Sequence, residues 1–173
     1  MSQVATIEYC RLMANYNAWV NTALYDVCES LTEEERRRPF PVYFESIHGT
    51  LNHLLYADRM WLGRFTGEPY TATTMGQEIY GDFAELRRER IKTDEAIVHW
   101  VDSLTGQRLA ETFSFRSNVD GITRTNPMGV VVLHVFNHQT HHRGQLSTLL
   151  ALLGKEPMIT DILWMPGPSA PES

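Results

Sequence analysis

The segment NPMGVVVLHVFNHQTHHRGQLSTLLALLG, from Asn126 to Gly154, decides the fold. Its ends are well marked. Asn126 is a good N-cap residue, Pro127 suits the first helical position, and Gly154 suits the position just after a last turn. Between these ends, apolar residues recur at steps of three and four. The segment therefore predicts one long amphipathic helix that begins at Asn126–Pro127 and ends before Gly154.

Three more helical patterns precede this one. The first covers about Ile7 to Ser30, the second runs from the N-cap Ser46 to about Phe65, and the third runs from Asp82 to about Leu104. Thr32 and Glu35, between the first two patterns, have the spacing of a capping box. The chain thus carries four helices long enough to pack side by side.

The segment ETFSFRSNVDGITRTN, directly before the last helix, has a different pattern. Phe113 and Phe115 alternate with polar residues, and the pair Asp120-Gly121 supplies a turn after which the chain can return. A β-hairpin is the prediction. The whole pattern predicts an all-α fold: a four-helix bundle with a small β-hairpin insertion before the last helix, in a single domain over residues 1–173.

Composition limits the classes of function. The 173 residues carry a net charge of −6, which argues against nucleic-acid binding because that function needs a basic face. No apolar run approaches the ~18 residues of a membrane span, and the N-terminus resembles no targeting peptide. Two cysteines, Cys10 and Cys28, lie within a helical pattern and form no motif. We expect a cytoplasmic, soluble protein that binds neither nucleic acid nor membranes.

Four of the seven histidines lie in the last helix. His138 and His142 are four residues apart, in the middle of a line whose two ends are aliphatic, so both are placed on the buried stripe. His141 falls on a polar line, and His134 lies one turn before His138. Two imidazoles at this spacing can bind one metal ion, but they can also be two hydrogen-bonded core histidines. The spacing alone leaves both readings open.

A third ligand has to come from another helix, and the second helix offers His48 and His53. That helix is apolar nearly all round, so periodicity does not choose between them. Asp58 falls on its apolar face, where a buried carboxylate needs a partner; pairing with an arginine is favoured over orienting a ligand histidine. Gln139 stands where a helical metalloprotease has its catalytic glutamate, which argues against a peptidase of that type.

These segments resemble the DinB family, also called the DinB/YfiT-like metalloenzymes. The resemblance rests on YNAWVNTALYD, SIHGTLNHLLYADRMWLGRF, VLHVFNHQTHHRGQLSTLL and the closing TDILW, and it covers about Tyr9 to Trp164. It implies a three-histidine site for a divalent metal ion, most often zinc or nickel. Carried over residue by residue, the ligands are His53, His138 and His142, at about 2.0 to 2.2 Å from the ion.

The resemblance also implies a range of functions. Three histidines leave an open metal position, which is typical of catalytic sites. We expect a metal-dependent enzyme that activates a low-molecular-weight thiol for transfer to a small electrophile, with no catalytic side chain assigned. A metal-dependent hydrolase of a small molecule and a non-catalytic metal-binding stress-response module are the alternatives. Family members are often dimeric, and four tryptophans are many for so small a core, so we also expect a homodimer.

Overall fold

The structure is a computed structural model that describes residues 4–71, 76–156 and 158–167. The elements in chain order are α1 Ile7–Glu29, α2 Glu33–Arg37, α3 Ile47–Thr66, α4 Phe83–Asp102, α5 Gly106–Ala110, β1 Thr112–Arg116, β2 Thr123–Pro127, α6 Met128–Leu152 and a final 3-10 turn Ile162–Trp164. Helices α1 and α3 each pack against α4 and α6. The predicted four-helix bundle with an antiparallel hairpin before the last helix is therefore confirmed. No helix in these ranges is long and apolar enough to cross a membrane.

Side-chain caps fix the starts of the early helices where the sequence predicts them. Ser46 Oγ accepts a first-turn N–H of α3 at 2.9 Å, and an Asp82 carboxylate oxygen accepts a first-turn N–H of α4 at 2.7 Å. Thr32 and Glu35 form the reciprocal capping box at α2. These contacts satisfy N–H groups that have no partner within the helix, so they select where each helix begins.

The predicted start of the last helix is wrong by one residue, because Pro127 and not Asn126 occupies the N-cap position. Asn126 lies within β2 and pairs with β1, the strand continues through Pro127, and α6 begins at Met128 without a side-chain cap. The Met128 N–H donates instead to the carbonyl of Glu111 at 2.8 Å. The hairpin ladder thus takes Asn126 into a strand, and the chain passes from strand to helix without a loop.

Two of the three apolar clusters among the described core residues lie at opposite ends of the bundle, and the third consists of Trp61, Val131 and Val135. Leu24, Leu51, Leu86, Leu146 and Leu150 belong to the first, and Ala14, Ile97, Val101, Val132 and Phe136 belong to the second. Along each of the four long helices, buried polar residues lie between these clusters. They include Asn17 and Asn21 on α1, Asp58 on α3, Arg90 and Asp94 on α4, and Gln139 and Arg143 on α6.

This polar layer is organised around Arg90, which is buried. Its guanidinium lies 2.8 Å from Asp58 Oδ2 and 2.8 Å from Asp94 Oδ1, so the predicted pairing of Asp58 with an arginine is confirmed. Asn21 and Gln139 donate their amide protons to the two carboxylates. Burial raises the pKa of Asp58 to about 6 although the Arg90 charge opposes the rise. The carboxylate is therefore charged at neutral pH and held by its partners.

Candidate metal centre

Helices α3 and α6 bring three histidine side chains together. The Nε2 atom of His138 lies 3.3 Å from Nε2 of His53 and 3.1 Å from Nε2 of His142. All three residues offer ligand atoms within 4.8 Å of one another. Two nitrogens bound to one tetrahedral ion at about 2.05 Å are themselves roughly 3.3 Å apart. The spacing in the structure therefore matches that of ligands around one small ion.

The hydrogen bonds around the cluster favour a cation over a set of paired core histidines. His142 Nδ1 lies 2.8 Å from Gln145 Oε1, and because an amide oxygen only accepts, the proton is assigned to Nδ1. His142 Nε2 then presents a lone pair to the cluster. His138 has at most one Nε2 proton and can direct it at only one of its two neighbours. A divalent cation satisfies all three nitrogens, so the donor set fits a metal such as zinc or nickel.

The histidines of the cluster are neutral at pH 7. Burial, with a smaller contribution from the other two rings, lowers the pKa of His53 to about 3. Burial and the neighbouring histidines lower the pKa of His138 to about 4, and burial also lowers the pKa of His142. Because a metal ion binds the neutral imidazole, the cluster needs no deprotonation at neutral pH to accept one.

An aromatic ring closes one side of the cluster. The Phe44 ring stacks on His53 with centroids 3.8 Å apart and lies edge-on to His142 at 5.5 Å. His53 Nδ1 is buried and has no hydrogen-bond partner in the described part of the chain, so stacking orients this ring. The turn that carries Phe44 approaches α3 closely: a Cβ on Gly49 would lie 2.2 Å from the Phe44 carbonyl oxygen. Only glycine fits there.

The other histidines considered as ligands lie outside the cluster. His48 is 2% exposed, and its Nε2 lies 2.9 Å from the Tyr80 carbonyl oxygen. His134 is exposed, with its ring centroid 6.0 Å from that of His138. His141 is exposed as well. Periodicity did not choose between His48 and His53, and in the structure it is His53 that lies with His138 and His142. Metal binding itself stays a prediction.

The predicted position of the two α6 histidines on the buried stripe is only partly right. His142 is buried, but His138 is only partly buried, at the edge of the stripe. The centre of the buried face consists of Val132, Phe136, Gln139, Arg143, Leu146 and Leu150. The apolar pattern missed this centre because Gln139 and Arg143 are polar, and both are buried through pairing with the polar layer of the bundle.

A cavity of about 540 Å³ opens beside the cluster, between α3, α6 and the hairpin. His53 and His138 line it. The remaining wall includes aromatic and polar side chains, among them Tyr56, Trp61, Arg64, Phe115, Asn118 and His134. The cluster is thus closed by Phe44 on one side and accessible from the cavity on the other.

Three contributors to the site were missed in the sequence. The position of Gln145 could have been predicted, because it stands three residues after His142 in HRGQ and therefore lies one turn away on the same helix face. No sequence pattern indicated the hairpin residues of the cavity wall, since the place where a hairpin packs on a bundle depends on contacts between segments distant in the chain. No sequence pattern indicated Phe44 either, because it lies in a turn whose path depends on Gly49.

Fold and site together define a class: a four-helix-bundle protein with a cluster of three histidines between two helices, open to a cavity. The model of the DinB family matches residues 1–172, and the chain belongs to the DinB family. Protein DinB of Bacillus subtilis (strain 168) is 22% identical over 160 residues, which cover 89% of this chain and 91% of that protein. A DinB-like protein from Bacillus cereus ATCC 10987 has the same fold, with a TM-score of 0.68, 20% identity, and coverage of 98% of this chain and 100% of that one.

Proposed function

We propose that the chain binds one divalent metal ion, zinc or nickel, through Nε2 of His53, His138 and His142, and that it is an enzyme which activates a low-molecular-weight thiol for transfer to a small electrophile. The observation that carries this proposal is the convergence of three Nε2 atoms at the wall of a cavity. When bound, a divalent ion lowers the pKa of a thiol or water beside it and so supplies a nucleophile at neutral pH.

The surroundings of the cluster support a catalytic site over a structural one. Structural zinc sites normally have four protein ligands, whereas the described residues offer three here. Phe44 covers one side of the cluster, so small molecules reach it from the cavity that His53 and His138 line. The cavity volume of about 540 Å³ is in the range of small-molecule sites, roughly 300 to 1,000 Å³. A non-catalytic metal-binding module would need no such cavity.

Metal-dependent hydrolysis of a small molecule is the second candidate, and His134 supplies a base that this reaction would use. This residue lines the same cavity one helical turn before His138. Although part of the His134 side chain is exposed, partial burial in the cavity wall lowers its pKa, so the ring is neutral at pH 7 and can accept a proton. A base in that place serves an attacking water as well as a thiol. Thiol transfer ranks first because the family resemblance points to it.

Metal content tests the first half of the proposal. We expect elemental analysis of the dialysed protein to give one equivalent of zinc or nickel, and His142→Ala to lose most of it. His141→Ala is the matched control, because it removes a neighbouring exposed imidazole and should retain the metal. If His142→Ala keeps its full metal content, or if His141→Ala loses as much metal as His142→Ala, the assigned set of ligands is wrong.

Spectroscopy and turnover test the second half. In cobalt-substituted protein, cellular thiols should change the visible and near-ultraviolet absorption of the ion, and metal-loaded protein should then consume an electrophile only when the effective thiol is present. If no thiol changes the spectrum while an ester or amide is hydrolysed, hydrolysis replaces thiol transfer. If thiols bind and no substrate of either kind reacts, the non-catalytic module becomes the better account.

A further inference from the structure

Arg64 is a half-buried arginine in the cavity wall, eleven residues and about three turns beyond His53 on α3. Its Nη2 donates to the Arg116 carbonyl oxygen at 2.7 Å and to Asn118 Oδ1 at 2.9 Å. None of the ion pairs between described residues includes Arg64. Its charge therefore faces a partly desolvated space without a carboxylate partner.

The other charges of the cavity wall cancel. Arg124 lies 2.6 Å from a carboxylate oxygen of Asp120, and both residues line the cavity. Asp120 is the one acidic residue among the described residues of the lining, so within this set Arg64 leaves one uncompensated positive charge. In a chain whose net charge is −6, this local excess of positive charge is a property of the cavity and not of the protein as a whole.

Arg64 and the neighbouring Tyr56 hydroxyl keep free hydrogen-bond donors in this part of the wall. Asn118 Nδ2 donates to the Tyr56 hydroxyl at 3.0 Å, and no acceptor among the described residues takes the Tyr56 proton. Nε and Nη1 of Arg64 are likewise uncommitted within the described ranges. Because one Asn118 side chain bonds both residues, the guanidinium and the hydroxyl lie on the same part of the wall. Free donors beside an unpaired cation form an anion-binding pattern.

The position of Arg64 is fixed by aromatic rings. Its guanidinium carbon lies 4.7 Å from the Trp61 ring and 5.2 Å from the Phe115 ring, so the side chain leans back along α3 towards the histidines. These rings, which also line the cavity, offer an apolar surface beside the cation. Burial lowers the pKa of Arg64 against the opposing influence of Tyr56, in keeping with a cation that lacks a counter-charge.

We propose that the cavity binds an anionic small molecule: its carboxylate, sulfonate or phosphate group pairs with Arg64 and accepts the Tyr56 hydroxyl proton, while its apolar body lies against Trp61 and Phe115. This names the substrate class for the proposed reaction. The placement of the reacting end at the histidines rests on the proposed function, whereas the anion subsite rests on Arg64 and Tyr56 alone. A purely structural role of Arg64, clamping the hairpin through Arg116 and Asn118, predicts no preference for anions.

A matched pair of probes tests the subsite on the full chain as purified. The first is 4-phenylbutane-1-sulfonate, whose anionic group is a weak metal ligand, and the second is the neutral methyl sulfone of the same shape. Calorimetry should give a sulfonate affinity about 10-fold to 150-fold higher than that of the sulfone, the ratio expected for hydrogen bonds to a charged group. The corresponding carboxylate and phosphate then show which anion fits best.

The variants assign the effect. Arg64→Met should bring the ratio of the two affinities close to one, and Arg64→Lys should retain part of it because the charge remains. Arg116→Met makes the same change of charge on a residue outside the cavity lining and should leave the ratio unchanged. Equal affinities in the unmodified chain, or an unchanged ratio in Arg64→Met, would overturn the proposal, as would the absence of binding by every anion.

His142→Ala separates this inference from the proposed function. A variant that loses its metal should still prefer the sulfonate, because the preference resides in Arg64 and Tyr56. If the preference disappears with the metal, then the ion itself binds the anion and the proposed subsite is wrong. If the chain binds no metal and catalyses nothing but still discriminates the two probes through Arg64, only the proposed function fails.

Discussion

Replacing Gln145 by leucine should weaken metal binding about tenfold without removing a ligand. The amide oxygen of Gln145 accepts the His142 Nδ1 proton at 2.8 Å and so holds the ring with Nε2 facing the cluster. One neutral hydrogen bond contributes about 0.5 to 1.5 kcal/mol, which corresponds to about 2-fold to 13-fold in affinity. Loss of a contact that orients a metal ligand typically costs about 10-fold to 100-fold. Gln145 is half-buried, so water can partly replace it and the lower end of that range applies.

Competition with a chromophoric zinc chelator at pH 7 measures this change. Gln145→Glu should bind zinc at least as tightly as the unmodified chain, because a carboxylate is a stronger acceptor for the same proton. His141→Ala is the control, since Gln145 Nε2 also lies 3.2 Å from the His141 ring and that contact should not matter for zinc. Equal zinc affinity in Gln145→Leu and the unmodified chain would refute the assignment, and so would a loss in His141→Ala of the same size.

Three further outcomes follow from the structure. Arg90→Met leaves two buried carboxylates unpaired and should lower the free energy of unfolding in urea by about 3 to 5 kcal/mol, whereas Arg87→Met, on the surface of the same helix, should lower it by no more than about 1 kcal/mol. The pKa values of His53 and His138 fall from 6.5 to about 3 and about 4, so the unfolded chain binds more protons below pH 6.5. In urea titrations of the metal-free protein, the stability contributed by these two histidines should therefore be fully present above pH 6.5 and decrease from pH 6.5 towards pH 4. The raised pKa of Asp58 opposes part of this decrease, so the comparison with His138→Ala, in which the decrease should be smaller, isolates the contribution of the histidines. Sedimentation at micromolar concentration should give twice the mass of one chain, and a monomer would count against the predicted homodimer.

Local sequence predicts most of the helices and the hairpin because their signals are local. Caps such as Ser46 and Asp82 satisfy backbone groups within one turn, and the Asp120-Gly121 turn closes a hairpin over a few residues. Asn126 shows where a local signal fails. Its side chain is of the type that caps helices, but the residue pairs with Phe113 of β1, more than ten residues earlier, and does not cap α6.

The candidate ligands could be predicted only in part from the residues themselves. The spacing of His138 and His142 identified a pair, while the choice of His53 depended on family resemblance because α3 is apolar nearly all round. Neither route could find Arg64 as a cavity residue, since its role depends on where the hairpin docks. When the role of a residue depends on how two elements distant in sequence pack together, no periodic pattern in the sequence indicates that role.

The division of the site between rigid helices and a hairpin has a consequence for how such a protein can diversify. All three histidines lie on long, well-packed helices, whereas Phe115, Asn118, Asp120 and Arg124 of the cavity wall lie on β1, β2 and the turn between them. For the proposed metal-dependent reaction, exchange of residues 112–127 for another hairpin of equal span should therefore alter the choice of substrate while the positions of the three histidines remain unchanged. The hairpin can therefore change in sequence or length without moving the histidines. A chimera that binds the same number of metal ions per chain but prefers a different ligand would show that the two parts of the site vary independently.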